Sequence, residues 1–318
     1  MNKEYGFGVD IGGTTVKLGL FKVDGELLEQ WEIKTRKDNK GSRILKDISK
    51  AIEDKIKDRD ISKDKIIGIG MGVPGPVEDK GNVLRCVNLG WDIVNVVEVM
   101  EELTGLPIKV GNDANIAALG EMWLGGGKGC KNMIMVTLGT GVGGGIIVNG
   151  NILSGHNGAA GEIGHIKINN NETRGCGCGK KGCLEQYASA TGIVNEAVRA
   201  VNSTNIESTL REVDELTAKE VFYEAKKGDK LAIKLVEEFG NRLGSVLATI
   251  NCVCDPEVIV IGGGVSKAGE ILIETVKKYF KEKAFHTSEN TRFEFALLGN
   301  NAGIYGGVKL VLDQIKNN

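Results

Sequence analysis

The chain has 318 residues, 41% hydrophobic and 26% charged, with a formal net charge of −2, which is enough apolar material for two domains without disulfide staples. The near-neutral balance argues against nucleic acid as the main partner, since such proteins carry a basic excess. Seven cysteines without the spacing of a secreted scaffold, no charged-then-apolar leader, and no uncharged apolar stretch longer than the glycine-broken 133–148 lead us to expect a soluble cytoplasmic protein with no membrane partner.

Glycine is the outlier, with 46 residues against 4 prolines, gathered at particular turns. Residues 5–10 alternate as a strand, pass through Ile-Gly-Gly-Thr-Thr and return as a strand over 16–21, a hairpin with a glycine-rich turn. Gly12, Gly13, Thr14 and Thr15 offer N–H groups and hydroxyls suited to phosphate oxygens, and Asp10 stands where a carboxylate can meet a phosphate-bound Mg2+. A plain tight hairpin would use the same glycines. A third strand is expected over 26–35, then a helix over 43–57 with Ile44, Leu45, Ile48, Ile52 and Ile56 on one face. A buried strand over 66–71 ends in Gly72-Val-Pro-Gly-Pro, either a ligand-binding loop at the carboxyl edge of a sheet or a stiff connection.

A helix over 93–103 and a short strand over 107–110 lead to Gly-Asn-Asp-Ala-Asn and a helix over 114–124. Asn112 and Asp113 therefore occupy a strand-to-helix junction. Either can cap the helix, and a carboxylate there can take a proton from a substrate hydroxyl. Strands over 132–138 and 143–148 flank Gly139-Thr140-Gly141 and repeat the plan of the first hairpin, which suggests an internal duplication with both turns serving phosphates. No Gly-Lys-Ser or Gly-Lys-Thr follows, so this is not a Walker loop.

Residues 161–187 gather His165, Cys176, Cys178 and Cys183 between Glu162 and Glu185. An imidazole and three thiols spaced by glycines match four-coordinate Zn2+, while carboxylates at the rim suit a polar substrate. Helices are expected over 187–201, 217–226 and 230–251, a buried strand over 257–261, a helix over 268–282, a strand over 293–297 and a closing helix over 302–315. Gly262, Gly263 and Gly264 either bare the backbone as an adenine or ribose shelf or allow close helix–sheet packing. Cys252 and Cys254 read as isolated buried thiols in preference to a second metal site, Cys86 and Cys130 have no partner pattern, His156 is expected as an outer contact near the sugar side and His286 as a surface residue.

These segments together resemble the ROK family of sugar kinases and repressors within the actin-like ATPase superfamily, and look most like its bacterial glucokinase branch. The resemblance covers nearly the whole chain: 10–17 and 138–145 as phosphate loops, 72–76 on the sugar side, 111–115 as the catalytic Asn-Asp segment, 161–165 with 176–187 as the family signature, and 262–266 as the adenosine loop. It implies a two-lobed α/β fold, ribonuclease H-like, with an interdomain cleft and a zinc-braced loop. The smaller domain would be 1–112 plus 300–318, and the larger 113–299.

The resemblance further implies transfer of the γ-phosphoryl group of ATP to the 6-hydroxyl of glucose, with Asp113 as the base. Gly72, Asn112, Asp113, Glu162, His165 and Glu185 would surround the sugar. Asp10, Gly12, Gly13, Thr14, Thr15, Lys17, Gly139, Thr140, Gly141, Gly262, Gly263 and Gly264 would hold Mg2+ and ATP, and His165, Cys176, Cys178 and Cys183 a structural Zn2+. A homodimer or homotetramer is implied too. Family members acting on fructose, N-acetylglucosamine or N-acetylmannosamine differ in pocket size near the second sugar carbon, which loop composition does not measure. Members that are sugar-sensing repressors carry a helix-turn-helix ahead of the first phosphate loop, for which the position of Asp10 leaves no room. Members accepting polyphosphate lack the cysteine cluster, which favours ATP.

Overall fold

A computed structural model describes residues 3–78, 80–84 and 86–316. The chain divides into two compact units: Met1–Gly129 with Asn151–Ala160 and Leu297–Asn318, and Cys130–Gly150 with Gly161–Ala296.

In the first unit, strands β1 (Tyr5–Ile11), β2 (Thr15–Lys22), β3 (Leu27–Lys34), β4 (Ile66–Val73) and β5 (Ile108–Asn112) form one sheet in the order β3-β2-β1-β4-β5. β1 pairs antiparallel with β2 and parallel with β4, and β4 pairs parallel with β5. Every residue of β4 is buried, the expected state of a central strand covered on both faces. Helix α1 (Ile44–Asp58) buries the predicted stripe of Ile44, Leu45, Ile48, Ile52 and Ile56. Helix α2 (Val96–Thr104) adds Val96 and Met100 to the same core, and helix α3 (Asp113–Leu124) follows β5 directly.

The C-terminal helix (Ala302–Lys316) lies almost backbone to backbone on this unit. A Cβ built at Gly8 would stand 1.9 Å from the Ile304 carbonyl oxygen, one at Gly70 1.7 Å from that of Gly307, and one at Gly306 1.7 Å from that of Ile116. These glycines are selected by close approach, with no turn involved. The contact also moves the unit boundary from the expected residue 113 to about 129. Helix α3 belongs to the first unit because Gly120 abuts Ala302 and Gly306, and because the fully buried carboxylate of Glu121 accepts the N–H groups of Gly126, Leu297 and Leu298.

In the second unit, β6 (Met133–Leu138) pairs antiparallel with β7 (Val142–Val148) and parallel with β8 (Val258–Gly262), which pairs parallel with β9 (Arg292–Phe295). That repeats the β2-β1-β4-β5 pattern, so the duplication expected from the two glycine–threonine turns appears as a repeated topology. Helices α4 (Glu185–Ala188), α5 (Ala190–Ser203), α6 (Ala218–Lys226), α7 (Lys230–Cys254) and α8 (Glu270–Lys283) complete the unit. The single helix expected over 187–201 is interrupted: Ser189 takes extended ψ 165° and its hydroxyl accepts the Gly192 N–H, capping α5. At the end of α7, Cys252 is exposed and Cys254 half-buried, which corrects the reading of both as buried thiols; the last turn of that helix faces outward, with Val253 82% exposed. Among the described residues no helix is long and apolar enough to cross a membrane.

Candidate functional site

In the first unit the hairpin register pairs Asp10 with Lys17 and Ile11 with Val16, leaving Gly12-Gly13-Thr14-Thr15 between the last paired residues. The Gly12 N–H donates to the Thr15 carbonyl at 3.0 Å, and Thr35, one residue past the end of β3, pins the turn: its hydroxyl donates to the Gly12 carbonyl at 2.7 Å and its N–H to that of Thr14 at 2.9 Å. A Cβ at Gly303 would lie 2.6 Å from the Asp10 carboxyl carbon, so the C-terminal helix closes over this side chain. Burial, and then the neighbouring Asp113 carboxylate, push Asp10 up to about 6, against the opposing pull of Lys17. Lys17 itself donates to the Asn300 carbonyl at 3.0 Å.

Gly72 faces the start of α3, where a Cβ would stand 3.6 Å from the Asp113 Cα. Asn112 is the helix cap: its Oδ1 accepts from Ala114 N at 3.0 Å and Asn115 N at 3.2 Å, and its Nδ2 donates to the Gly75 carbonyl at 3.1 Å. The capping alternative is thus realised in Asn112. Asp113 is half-buried, and its Oδ1 accepts from Ala114 N at 2.8 Å. Gly72, Asp113 and Asp10 therefore meet at the carboxyl ends of β1, β4 and β5, the edge where α/β sheets receive ligands.

In the second unit the Gly139-Thr140-Gly141 turn is held from behind. Gly139 donates to the Gly141 carbonyl at 3.0 Å, Ala190 donates to the Gly139 carbonyl at 2.8 Å, and Val142 donates to Glu185 Oε2 at 3.1 Å. The three later glycines split between their two readings. Gly263, at φ +86°, has the Leu138 carbonyl 2.5 Å from its Cβ position, and Gly262 has the Ala296 methyl at 2.9 Å, so both serve packing. Gly264 faces open space and lines a pocket of about 570 Å³ with Val265, Lys267, Phe222, Tyr223 and Lys226. The α6 side chains in that wall were missed, because an amphipathic helix shows its packing stripe and not which loop its other face meets.

His165, Cys176, Cys178 and Cys183 present four donor atoms within 4.8 Å of one another. Tetrahedral Zn2+ with bonds of about 2.3 Å to sulfur separates its ligands by about 3.7 Å. The Cys178–Cys183 sulfurs stand 3.7 Å apart, as do Cys176 Sγ and His165 Nδ1, so the donor set fits such an ion. Burial raises the Cys176 thiol, and burial with the neighbouring thiols pushes Cys183 up to about 12, while the Lys180 N–H lowers Cys178. A cation is what would let all three ionise together. Glu162 Oε2 is 3.9 Å from His165 Nε2, and Glu185 Oε1 is 3.7 Å from Cys176 Sγ, which places both carboxylates on the rim of the cluster.

Two side chains of the 176–187 signature, neither among the expected site residues, brace this loop. Gln186 Oε1 accepts from Gly182 N at 2.7 Å and Cys183 N at 3.2 Å while its Nε2 donates to the carbonyls of Arg174 and Gly175, clasping both arms. The Tyr187 hydroxyl donates at 2.6 Å to Glu172, which the Arg174 guanidinium holds well below the usual carboxylate range. Both follow Glu185 in sequence, and the spacing Glu-Gln-Tyr within one helical turn was the only available sign. His156 and His286 are exposed.

The ROK family pattern matches residues 6–314. The chain is 45% identical over 319 residues to a glucokinase of Halalkalibacterium halodurans, covering 99% of this chain and 97% of that one. It is also 28% identical to a xylose repressor of Caldicellulosiruptor bescii, covering 99% of this chain and 80% of that one. The structure matches a ROK family glucokinase from Streptomyces griseus, solved with glucose and AMPPNP, at TM-score 0.74 and 34% identity over 96% of this chain and 98% of that one. With the duplicated sheets, the Asn112-Asp113 junction and the histidine–cysteine loop in place, the chain belongs to the ROK family and has its actin-like ATPase fold.

Proposed function

We propose that the protein transfers the γ-phosphoryl group of ATP to the 6-hydroxyl of glucose, giving glucose 6-phosphate and ADP. The observation that carries this reading is the junction at Asn112 and Asp113: Asn112 caps the helix, and the neighbouring Asp113 carboxyl group lies beside Gly72 and Asp10 at the ligand edge of the sheet. Phosphoryl transfer asks mostly for alignment and charge neutralisation, and such a carboxylate supplies the proton acceptor. Asp113 takes the proton of the sugar hydroxyl as it attacks. Gly72, the second N–H of the Asn112 amide, Glu162, His165 and Glu185 orient the remaining hydroxyls.

The turns of Gly12, Gly13, Thr14 and Thr15 and of Gly139, Thr140 and Gly141 bind the phosphates, with Lys17 beside the first. The pocket behind Gly264 takes the adenosine, framed by Gly262 and Gly263. Mg2+ bound with the nucleotide would neutralise phosphate charge, and Asp10 would be the carboxylate that orients it. Zn2+ supplies a structural cross-link, held by His165, Cys176, Cys178 and Cys183. The glucokinase relatives support the choice of glucose, and a cytoplasmic homodimer or homotetramer accords with the branch.

A coupled assay with Mg2+ and ATP across glucose, fructose, mannose and the N-acetylated hexosamines tests the reading. Glucose is expected to give the highest kcat/KM, and preference for an N-acetylated sugar would replace it with another kinase of the family.

A further inference from the structure

Gly141 lies in a turn assigned to phosphates, yet what crowds it is a carboxylate assigned to the sugar. A Cβ built on Gly141 would stand 2.4 Å from Glu185 Oε2 and 3.3 Å from Glu185 Cδ, whereas one on Gly139 meets nothing within 4 Å. The Gly141 backbone lies outside the left-handed region, so conformation does not demand glycine there. The same Oε2 accepts the Val142 N–H at 3.1 Å, and the other oxygen faces Cys176 Sγ at 3.7 Å. The carboxylate is thereby wedged between the turn and the metal loop, and only the missing methyl leaves it that position.

We propose that Gly141 is a positioning residue for the sugar: by leaving room for Glu185 against the Val142 N–H, it sets where that carboxylate meets a hexose hydroxyl and ties the phosphate turn to the sugar contact. This rests on the assignment of Glu185 to the sugar. In Gly141→Ala the clash falls on the flexible end of a side chain, so Glu185 moves while the turn keeps its path. A displaced charged hydrogen bond to a substrate hydroxyl is expected to raise the hexose KM by about tenfold or more.

The experiment measures KM for hexose and for ATP on the full-length, metal-loaded protein, using whichever hexose of the panel it turns over. A chain that ignores glucose but uses another hexose would therefore fail the function above and still test the coupling. G141A is expected to raise the hexose KM about tenfold or more, severalfold more than it raises the ATP KM, with zinc content unchanged; G139A is expected to affect the ATP KM instead. E185D, one methylene shorter, is expected to cost less in the G141A background than in the wild type, an interaction a double-mutant cycle reads directly. An unchanged hexose KM in G141A, or strictly multiplicative effects in the cycle, would overturn the proposal. Should G141A fail to fold, G141A/E185A decides: recovery on removing the carboxylate supports the contact, and persistent loss overturns it.

Discussion

Asp113 and Asp10 stand in one corner but carry different demands. Asp113→Asn keeps the shape of the junction, including the Ala114 N–H contact, and removes the proton acceptor; kcat is expected to fall by about 10²-fold or more while glucose still binds, as calorimetric titration would show. Near-normal turnover would remove the assigned base. For Asp10, a carboxyl raised to about 6 from an ordinary 3.8 favours its protonated form in the folded state. Its share of stability is therefore greatest in acid and is lost as pH rises between those values, by about 3 kcal/mol at most. Catalysis runs the other way, because the ionised form is the one that can orient a cation, so activity is expected to fall as pH drops through about 6. Asp10→Asn should flatten the stability profile between pH 4 and 6, read from urea midpoints, and lose activity throughout. At this scale motif and spacing located the carboxylates, but the crowding of Asp10 by Gly303 joins positions nearly three hundred residues apart and left no local trace.

The loop from Gly161 to Tyr187 gains its order from three sources: the four metal donors, the Gln186 clasp and the Glu172–Tyr187 anchor. Removing one donor, as in Cys178→Ala, is expected to release zinc and raise the glucose KM, with the ATP KM less affected; metal analysis and steady-state kinetics check this. Metal loss with unchanged sugar affinity would confine the cluster to bracing. Glu172→Ala removes the carboxylate shared by Arg174 and Tyr187, leaving Glu196 to the guanidinium and Asn169 to the hydroxyl, and is expected to cost about 1–3 kcal/mol, visible as a lower Tm. Element positions were readable almost throughout, because β4 and α1 carry strong apolar patterns. The break at Ser189 was not, since a serine within a helical pattern signals a cap only once its hydroxyl is seen to hold an N–H.

Two units with separate cores give the whole molecule a convenient reporter. All three tryptophans, Trp31, Trp91 and Trp123, lie in the first unit, while the metal donors lie in the second. Chelation is expected to lower a thermal transition in far-ultraviolet dichroism while the tryptophan fluorescence midpoint stays within about 2 °C, because the metal stabilises only the unit that binds it. Equal shifts by both probes would mean that the units unfold together. The duplication was legible from two short turns, but the residue at which one unit yields to the other was not. That boundary is decided by Glu121 and the glycine contacts of a helix that begins at Ala302.

The same helix has a consequence for synthesis. The first unit is built from the earliest and the latest parts of the chain, with Ile304 and Val308 of its last helix fully buried. On a ribosome, strands β1 to β5 emerge first yet wait for the final residues before their sheet is covered, whereas every segment of the second unit has already been made. The half that starts first is the half that finishes last.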